Sequence, residues 1–325
     1  MSEHILEVKG LKTHFFTKEG VVRAIDGIDL YIDKNEAVGL VGESGCGKTQ
    51  TAFSILRVVP NPGKILDGEV LLNGKDLLQI SEKEMQTIRG KDISITFQDP
   101  MTFLNPVIKI KNQIAEALLH HDRVISSRDA HKRAIDLLRQ MKITYPEKMA
   151  DSFPHQLSGG MRQRALIAMA MCLDPSVLIA DEPTTALDVT IQAQIVSLMR
   201  DVKESSDTSI LLITHDLGIV AELCDRVYVM YAGHIVESGT VFHIFDKPTH
   251  PYTQGLLSAV LSIDEFKKDL VTIEGSVPQL IDPPSGCRFH PRCTYVKEVC
   301  TRELPVMKEI SPGHNAACWF VEEGQ

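Results

Sequence analysis

The sequence lacks any apolar run long enough to cross a membrane. Its runs VLIA and ILLIT fall far short of the ~18 residues that a spanning helix requires. The opening residues MSEHILEVKG scatter Glu3, Glu7 and Lys9 among the apolar positions, which is not the form of a secretory signal. These absences predict a cytosolic chain, or one that meets a membrane only through a partner. Basic residues are also in deficit, 34 Lys and Arg against 43 Asp and Glu, for a net charge of −9. That balance argues against a nucleic-acid binder, which needs a basic face, and leaves room only for a local patch. There is no low-complexity segment and no internal repeat. Cysteine is scarce, with seven in 325 residues, yet Cys287, Cys293, Cys300 and Cys318 all fall in the C-terminal tail. Thiols stay reduced in the cytosol, so a disulfide framework there is disfavoured.

What is present suffices for a core: 43% of the residues are hydrophobic, in a length that suits one large domain or two ordinary ones. AIDGIDLYID alternates like a half-buried strand. EAVGLVGESGCGKTQTAFSILRVV reads as buried strand, glycine-rich turn and helix. NQIAEALLHH and HKRAIDLLRQMK space their apolar residues three and four apart, as helices do. DPSVLIADEP and SILLITHD are short apolar strands, the second ending in His215 and Asp216. Such runs alternating with helices imply a parallel sheet covered on both faces. After residue 247 the texture changes. DKPTHPYTQGLL leads into one helix, and GSVPQLIDPPSG reads as loop from its Pro and Gly.

GESGCGKT at 42–49 fits G-x-x-x-x-G-K-[ST] between a predicted strand and a predicted helix. Gly42, Gly45 and Gly47 let backbone N–H groups wrap phosphate oxygens, with Glu43, Ser44 and Cys46 completing the loop. The helix behind presents its positive end to the same anion. Lys48 supplies a point charge for the outer phosphates, and Thr49 offers a hydroxyl to Mg²⁺. Asp181 and Glu182 stand where a buried strand ends, at the edge where open parallel sheets bind ligands. Asp181 is placed to hold Mg²⁺. Glu182 is placed to orient and deprotonate an attacking water. Alone, the pair would read as two turn acids before a proline.

LSGGMRQR at 157–164 opens a second helix with Ser158, a strong N-cap, followed by Gly159 and Gly160, which let a ligand approach the backbone. With the phosphate loop and LIADEP, this stretch closely resembles the signature of ATP-binding cassette (ABC) ATPases. The resemblance covers roughly residues 5–247. It implies an α/β P-loop NTPase cassette: a RecA-like parallel-sheet core with a helical subdomain, plus a small C-terminal cysteine-rich extension. The implied boundaries are 1–98 for the first part of the core, 99–165 for the helical subdomain, 166–247 for the second part, and 248–325 for the extension. TFQDP puts Gln98 at the position that senses the γ-phosphate and Mg²⁺. TALD and ITHD put Asp188 in the D-loop and His215 at the switch histidine. Phe15 matches the aromatic that stacks on adenine, with Phe16 a rival. Lys48, Gln98, Asp181, Glu182 and His215 are implied to act in cis. Ser158, Gly159, Gly160 and Asp188 are implied to act on the nucleotide of a head-to-tail partner.

A single cassette without a long coiled coil or zinc-bearing insertion favours transport over a soluble ABC ATPase acting on nucleic acid or ribosomes. HPYTQGLL at 250–257, GCRFHPRC, FQDPMTFLNP and PHQLSGGMRQR resemble the ATPases of oligopeptide/dipeptide importers, of the D-subunit type. That resemblance implies a sister ATPase, two transmembrane permease subunits, an extracytoplasmic binding protein, and a peripheral place on the cytoplasmic face of the membrane. Importers of nickel and other small solutes share this ATPase type. Segment 99–113 is the candidate face for the permease.

The tail spacing is Cys-x5-Cys-x6-Cys-x17-Cys, wider than the tight pairs of structural zinc sites. Four thiolates suit an iron–sulfur cluster, zinc, or no metal at all. The resemblance favours a structural [4Fe–4S] cluster, since related peptide-importer ATPases include examples. His290 and His314 read as surface histidines, and Cys172 and Cys224 as core residues. Cys46, beside bound phosphate at a helix N-terminus, is expected to have a lowered pKa, so that its alkylation blocks ATP binding.

Overall fold

The computed structural model describes residues 4–121, 124–185, 187–261 and 273–323. The chain forms two compact units. One comprises Met1–Ile32, Ala37–Leu78 and Leu212–Gln325, and the other Asp33–Glu36 and Gln79–Leu211.

The first unit holds a four-stranded sheet in the order Val21–Asp33, His4–Phe16, Gly63–Leu72, Lys75–Asp76. His4–Phe16 and Gly63–Leu72 pair antiparallel, with Leu6 opposite Leu72 and Val8 opposite Val70. All four side chains are buried, so one face of the pair carries the core. Elsewhere in this unit Ala37–Val41 pairs with Arg226–Tyr231 in parallel, Val38 opposite Arg226 and Val41 opposite Val229. Arg226–Tyr231 then turns back into His234–Thr240 through Ala232 and Gly233, whose φ angles of 47° and 85° are those of a hairpin turn. The tail adds to this edge. His314–Ala316 pairs antiparallel with His234–Thr240, and Lys308–Ser311 with His314–Ala316.

In the second unit Ile93–Thr96 and Val177–Asp181 pair in parallel, Ile93 opposite Val177 and Thr96 opposite Ala180. Every residue of Val177–Asp181 is buried. That is why its sequence is continuously apolar rather than alternating. The helical segments foreseen between 110 and 150 form as Ile110–His121 and Ser127–Gln140. Ser126 caps the latter, accepting from the Asp129 N–H. Gly159–Ala170 and Val189–Ser205 follow in the same unit.

The sheets are therefore mixed. The expectation of a parallel sheet holds for the buried apolar strands and fails at the hairpin and tail, where strands adjacent in sequence pair antiparallel. No described helix is long and apolar enough to cross a membrane.

Candidate active site

In the first unit the fully buried strand Ala37–Val41 delivers the chain to the loop 42–49, and the helix Lys48–Ile55 leaves it. Gly42 and Gly47 have φ of 155° and 115°. A Cβ on Gly42 would meet the Met230 carbonyl oxygen at 2.1 Å, and one on Gly47 the Ala24 oxygen at 2.4 Å. Both positions thus require glycine on conformation and on space. Lys48 is buried, and its Nζ donates to the carbonyls of Gly42, at 2.7 Å, and Glu43, at 3.1 Å. The ammonium lies within the curve of the loop, where phosphate oxygens bind in such loops. His215 lies just beyond the buried strand Ser209–Thr214. It shares a cavity of about 280 Å³ with Gly42, Glu43 and Ser44. Asp216 fixes that turn by capping the helix Leu217–Leu223 through the N–H groups of Gly218 and Ile219.

Cys46 departs from expectation. Its side chain is wholly buried, and burial pushes the thiol up, outweighing the pull of Lys48 nearby. In place of the expected lowered pKa, the thiol has a raised one. Phe15 lies opposite Gly63, where a Cβ would come within 2.6 Å of its ring. Phe16 is 44% exposed, with the Lys64 ammonium 5.6 Å from the ring centre.

In the second unit Asp181 is buried at the end of its strand, and Glu182 follows with φ of 45°. A non-glycine residue in that region carries strain of about 1–3 kcal/mol and persists only where its surroundings hold it. Here they do. Glu182 Oε2 accepts from Gln98 Nε2 and from the Thr185 hydroxyl, each at 2.8 Å. The bond from Gln98 joins it to Glu182 across 84 residues of sequence.

The helix cap at Ser158 forms as read. Ser158 caps Gly159–Ala170, its hydroxyl accepting from the Met161 N–H. The glycines differ in what they do. A Cβ on Gly159 would make ordinary contact with Leu187 at 3.5 Å, but one on Gly160 would lie 2.6 Å from Ile191 Cγ2. Gly160 therefore lets the helix Val189–Ser205 pack closely, beyond any approach of a ligand. Asp188 caps that helix, accepting from the Ile191 N–H at 3.0 Å.

Cys287, Cys293, Cys300 and Cys318 line one cavity of about 20 Å³, with His250 and the rings of Phe289 and Trp319. Burial pushes Cys287 up to about 11 and raises Cys293 and Cys318, and neighbouring thiols of the group add to each shift. Among the described residues, however, no three His, Cys, Asp or Glu side chains gather closely enough to hold a metal ion. Neither the expected zinc nor the expected [4Fe–4S] centre is preformed. His314 is a further correction. It is 3% exposed, its Nε2 lies 2.8 Å from the fully buried Glu237, and its ring stacks on His243. His290 is half-buried, with Nδ1 2.9 Å from the Cys287 carbonyl oxygen. Cys172 is a core residue, as expected, and Cys224 is half-buried.

These geometries meet the comparisons with known proteins. The family profile "ABC transporter" matches residues 25–185, and "Oligopeptide/dipeptide transporter, C-terminal region" matches 236–300. A probable peptide ABC transporter ATP-binding protein, y4tR of Sinorhizobium fredii, is 50% identical over 98% of this chain and 96% of its own. The oligopeptide transport ATP-binding protein OppD of Bacillus subtilis is 50% identical over 98% and 89%. The chain belongs to the ATP-binding proteins of oligopeptide/dipeptide ABC transporters. It is an ABC-type ATPase. Among solved structures, the dimeric ATP-binding cassette MJ0796, in a post-hydrolysis state bound to ADP and Pi, superposes with a TM-score of 0.66. It is 26% identical and covers 73% of this chain and 98% of its own. The peptide-importer profile takes in His250, Tyr252 and three of the four tail cysteines.

Proposed function

We propose that this ATPase is the motor of a peptide importer, acting on the cytoplasmic face of the membrane beneath separate permease subunits. The observation that carries the catalytic part is the Glu182 carboxylate, held by Gln98 and Thr185 at the end of a buried strand. The peptide part rests on relatives 50% identical over nearly the whole chain.

On this reading Lys48 and the loop amides hold the β- and γ-phosphates of ATP, while an aromatic, Phe15 or Phe16, receives the adenine. Thr49, Asp181 and Gln98 are the residues for Mg²⁺, which when bound neutralises charge developing on the phosphates. Their oxygen donors suit that hard cation. Glu182 orients the attacking water and takes its proton, and His215 contacts the γ-phosphate. Ser158, Gly159, Gly160 and Asp188 serve the nucleotide of a head-to-tail partner, in this case a sister ATPase. The cassette MJ0796, which is dimeric when bound to ADP and Pi, supports the dimeric part of this reading.

Segment 99–113 is the permease face. Met101, Phe103 and Val107 are exposed there, Val107 by 77%, while Asp99 caps the short helix Pro100–Phe103. The segment begins one residue after Gln98, so movement of the docked permease reaches the residue that holds Glu182.

The four tail thiols are assigned to a [4Fe–4S] cluster. They line one cavity, and the support for the cluster is the resemblance of the tail to peptide-importer ATPases; no described grouping is itself close enough to hold a metal ion. The cluster would supply a covalent staple for a loop-rich tail.

Purification of the intact complex from the native membrane, with identification of every subunit, tests the reading. Two permease subunits, a sister ATPase and an external peptide-binding protein are the expected companions. Recovery with ribosomes or DNA would overturn it.

A further inference from the structure

Glu43, the second residue of the phosphate loop, has each of its polar groups committed. Its carbonyl accepts from Lys48 Nζ at 3.1 Å and from the Cys46 N–H at 3.3 Å, both within the loop. Its backbone N–H donates to the Tyr252 hydroxyl at 2.8 Å. Its carboxylate takes two bonds from the Arg292 guanidinium, at 2.7 and 3.1 Å. These last two partners lie in the tail, 209 and 249 residues away. One residue thus joins the tail to the lysine ammonium.

Both tail groups are themselves fixed. Tyr252 is fully buried, and its ring packs on Tyr231 and Phe289, with centres 4.6 and 5.4 Å away. The Arg292 side chain is 5% exposed and also donates to the Glu274 and Ile273 carbonyls. A forked pair of this kind fixes direction as well as charge. The middle of the loop is held from the same unit. The Gly233 N–H donates to the Cys46 carbonyl at 2.8 Å, and Arg288 of the tail donates to the neighbouring Ala232 carbonyl.

The pairing also answers a problem of charge. Glu43 places a carboxylate in a loop whose ligand is a polyanion. Its side chain is only 29% exposed, so water screens it incompletely. Unpaired, that carboxylate would repel the phosphates.

We propose that Arg292 and Tyr252 are positioning residues of the nucleotide site, acting through Glu43. Tyr252 sets the peptide whose carbonyl holds the Lys48 ammonium. Arg292 orients the Glu43 side chain and cancels a charge that opposes nucleotide binding. The inference rests on the reading of loop 42–49 as the phosphate site.

The test titrates MgADP calorimetrically into the full-length protein and its variants. Arg292→Met keeps an apolar stem but removes the charge. It should weaken MgADP binding by about 10-fold, the order expected of one uncompensated unit charge in a partly screened site. That loss should shrink as salt is raised. Adding Glu43→Gln removes the uncovered acid, so the double variant should recover most of the affinity. Both proteins lack the ion pair, so any shared fall in melting temperature cannot produce that recovery. Tyr252→Phe takes away only the hydroxyl. It should weaken binding a few-fold, and Glu43→Gln should restore none of it, because no charge was uncovered. Wild-type affinity in Arg292→Met overturns the proposal. So does a loss that persists in full in the double variant, the mark of a merely structural arginine. Wild-type affinity in Tyr252→Phe removes Tyr252 from the role. Lys48→Ala separates the two readings. If it binds MgADP as the wild type does, the phosphate-loop reading fails and this inference with it. If it binds weakly while Arg292→Met is unaffected, this inference alone fails.

Discussion

The side-chain amide of Gln98 donates to the carboxylate of Glu182 at 2.8 Å, on the oxygen that also accepts from Thr185. Oε2 of Glu182 is thus held by two positioning bonds. Glu182→Gln removes the proposed base but retains a side chain of the same shape. Hydrolysis should fall by about 10²–10⁴-fold, the usual contribution of a general base. Nucleotide binding should persist. Gln98→Ala leaves the carboxylate but frees it to rotate, so the turnover number should fall by less. Phosphate release beside equilibrium nucleotide binding checks both, and a wild-type rate for Glu182→Gln would remove it from the role.

How much of this was legible in the sequence depends on how far apart the partners lie. The phosphate loop was legible because strand, glycines, lysine and helix are contiguous, and the φ angles at Gly42 and Gly47 are what that pattern demands. The cap at Ser158 is equally local. The signal fails where a residue's environment comes from a distant segment. Nothing near His314 announces Glu237, 77 residues away, which turns an apparent surface histidine into a buried one. Nothing near Cys46 announces the burial that raises its pKa. The grip of Arg292 on Glu43 spans 249 residues and was invisible for the same reason.

Gly160 carries a prediction about packing. A methyl there would sit 2.6 Å from Ile191 Cγ2, a branch next to the backbone that cannot swing away. Gly160→Ala should therefore destabilise the protein by about 1–3 kcal/mol, as overpacking does. Ile191→Ala removes the obstructing branch, so in the double variant the Gly160→Ala penalty should largely disappear. Denaturant unfolding of the four proteins of the cycle measures it. An undiminished penalty in the Ile191→Ala background would show that the glycine is required for another reason.

Acid should destabilise the protein well above the range where carboxylates titrate. Burial lowers His250 from 6.5 to about 4 despite the attraction of Glu237. Burial and Arg288 lower His234 to about 4, with Asp26 opposing. Between about 6.5 and about 4 the unfolded chain binds protons at these sites and the folded chain does not. Stability is thus full above 6.5 and falls as pH drops toward 4, by up to about 1.4 kcal/mol per pH unit for each histidine. Asp26, whose folded pKa lies below its ordinary value of 3.8, contributes only under more acidic conditions. Denaturation midpoints from pH 7 to 4.5 should show this slope, reduced in His234→Gln. An identical slope in that variant would exclude His234 as a source.

The Cys46 thiol yields the last prediction, and it reverses the sequence-based one. A helix N-terminus and a nearby lysine both favour thiolate, and from the sequence alone they suggest a reactive group. In the fold the sulfur is wholly buried, and removing it from water disfavours the thiolate more than Lys48, 3.8 Å away, favours it. The sulfur also faces inward: a Cβ on Gly42 would lie only 2.9 Å from it. Its partners are therefore the loop's own atoms. Cys46 should resist iodoacetamide in the native protein and react once the protein is unfolded, and MgATP should make no difference to native labelling. Site-resolved mass spectrometry of the alkylated protein, with and without denaturant, decides the matter. Rapid native labelling of Cys46 that ATP suppresses would restore the reactive thiol and show that the loop opens far enough to expose it.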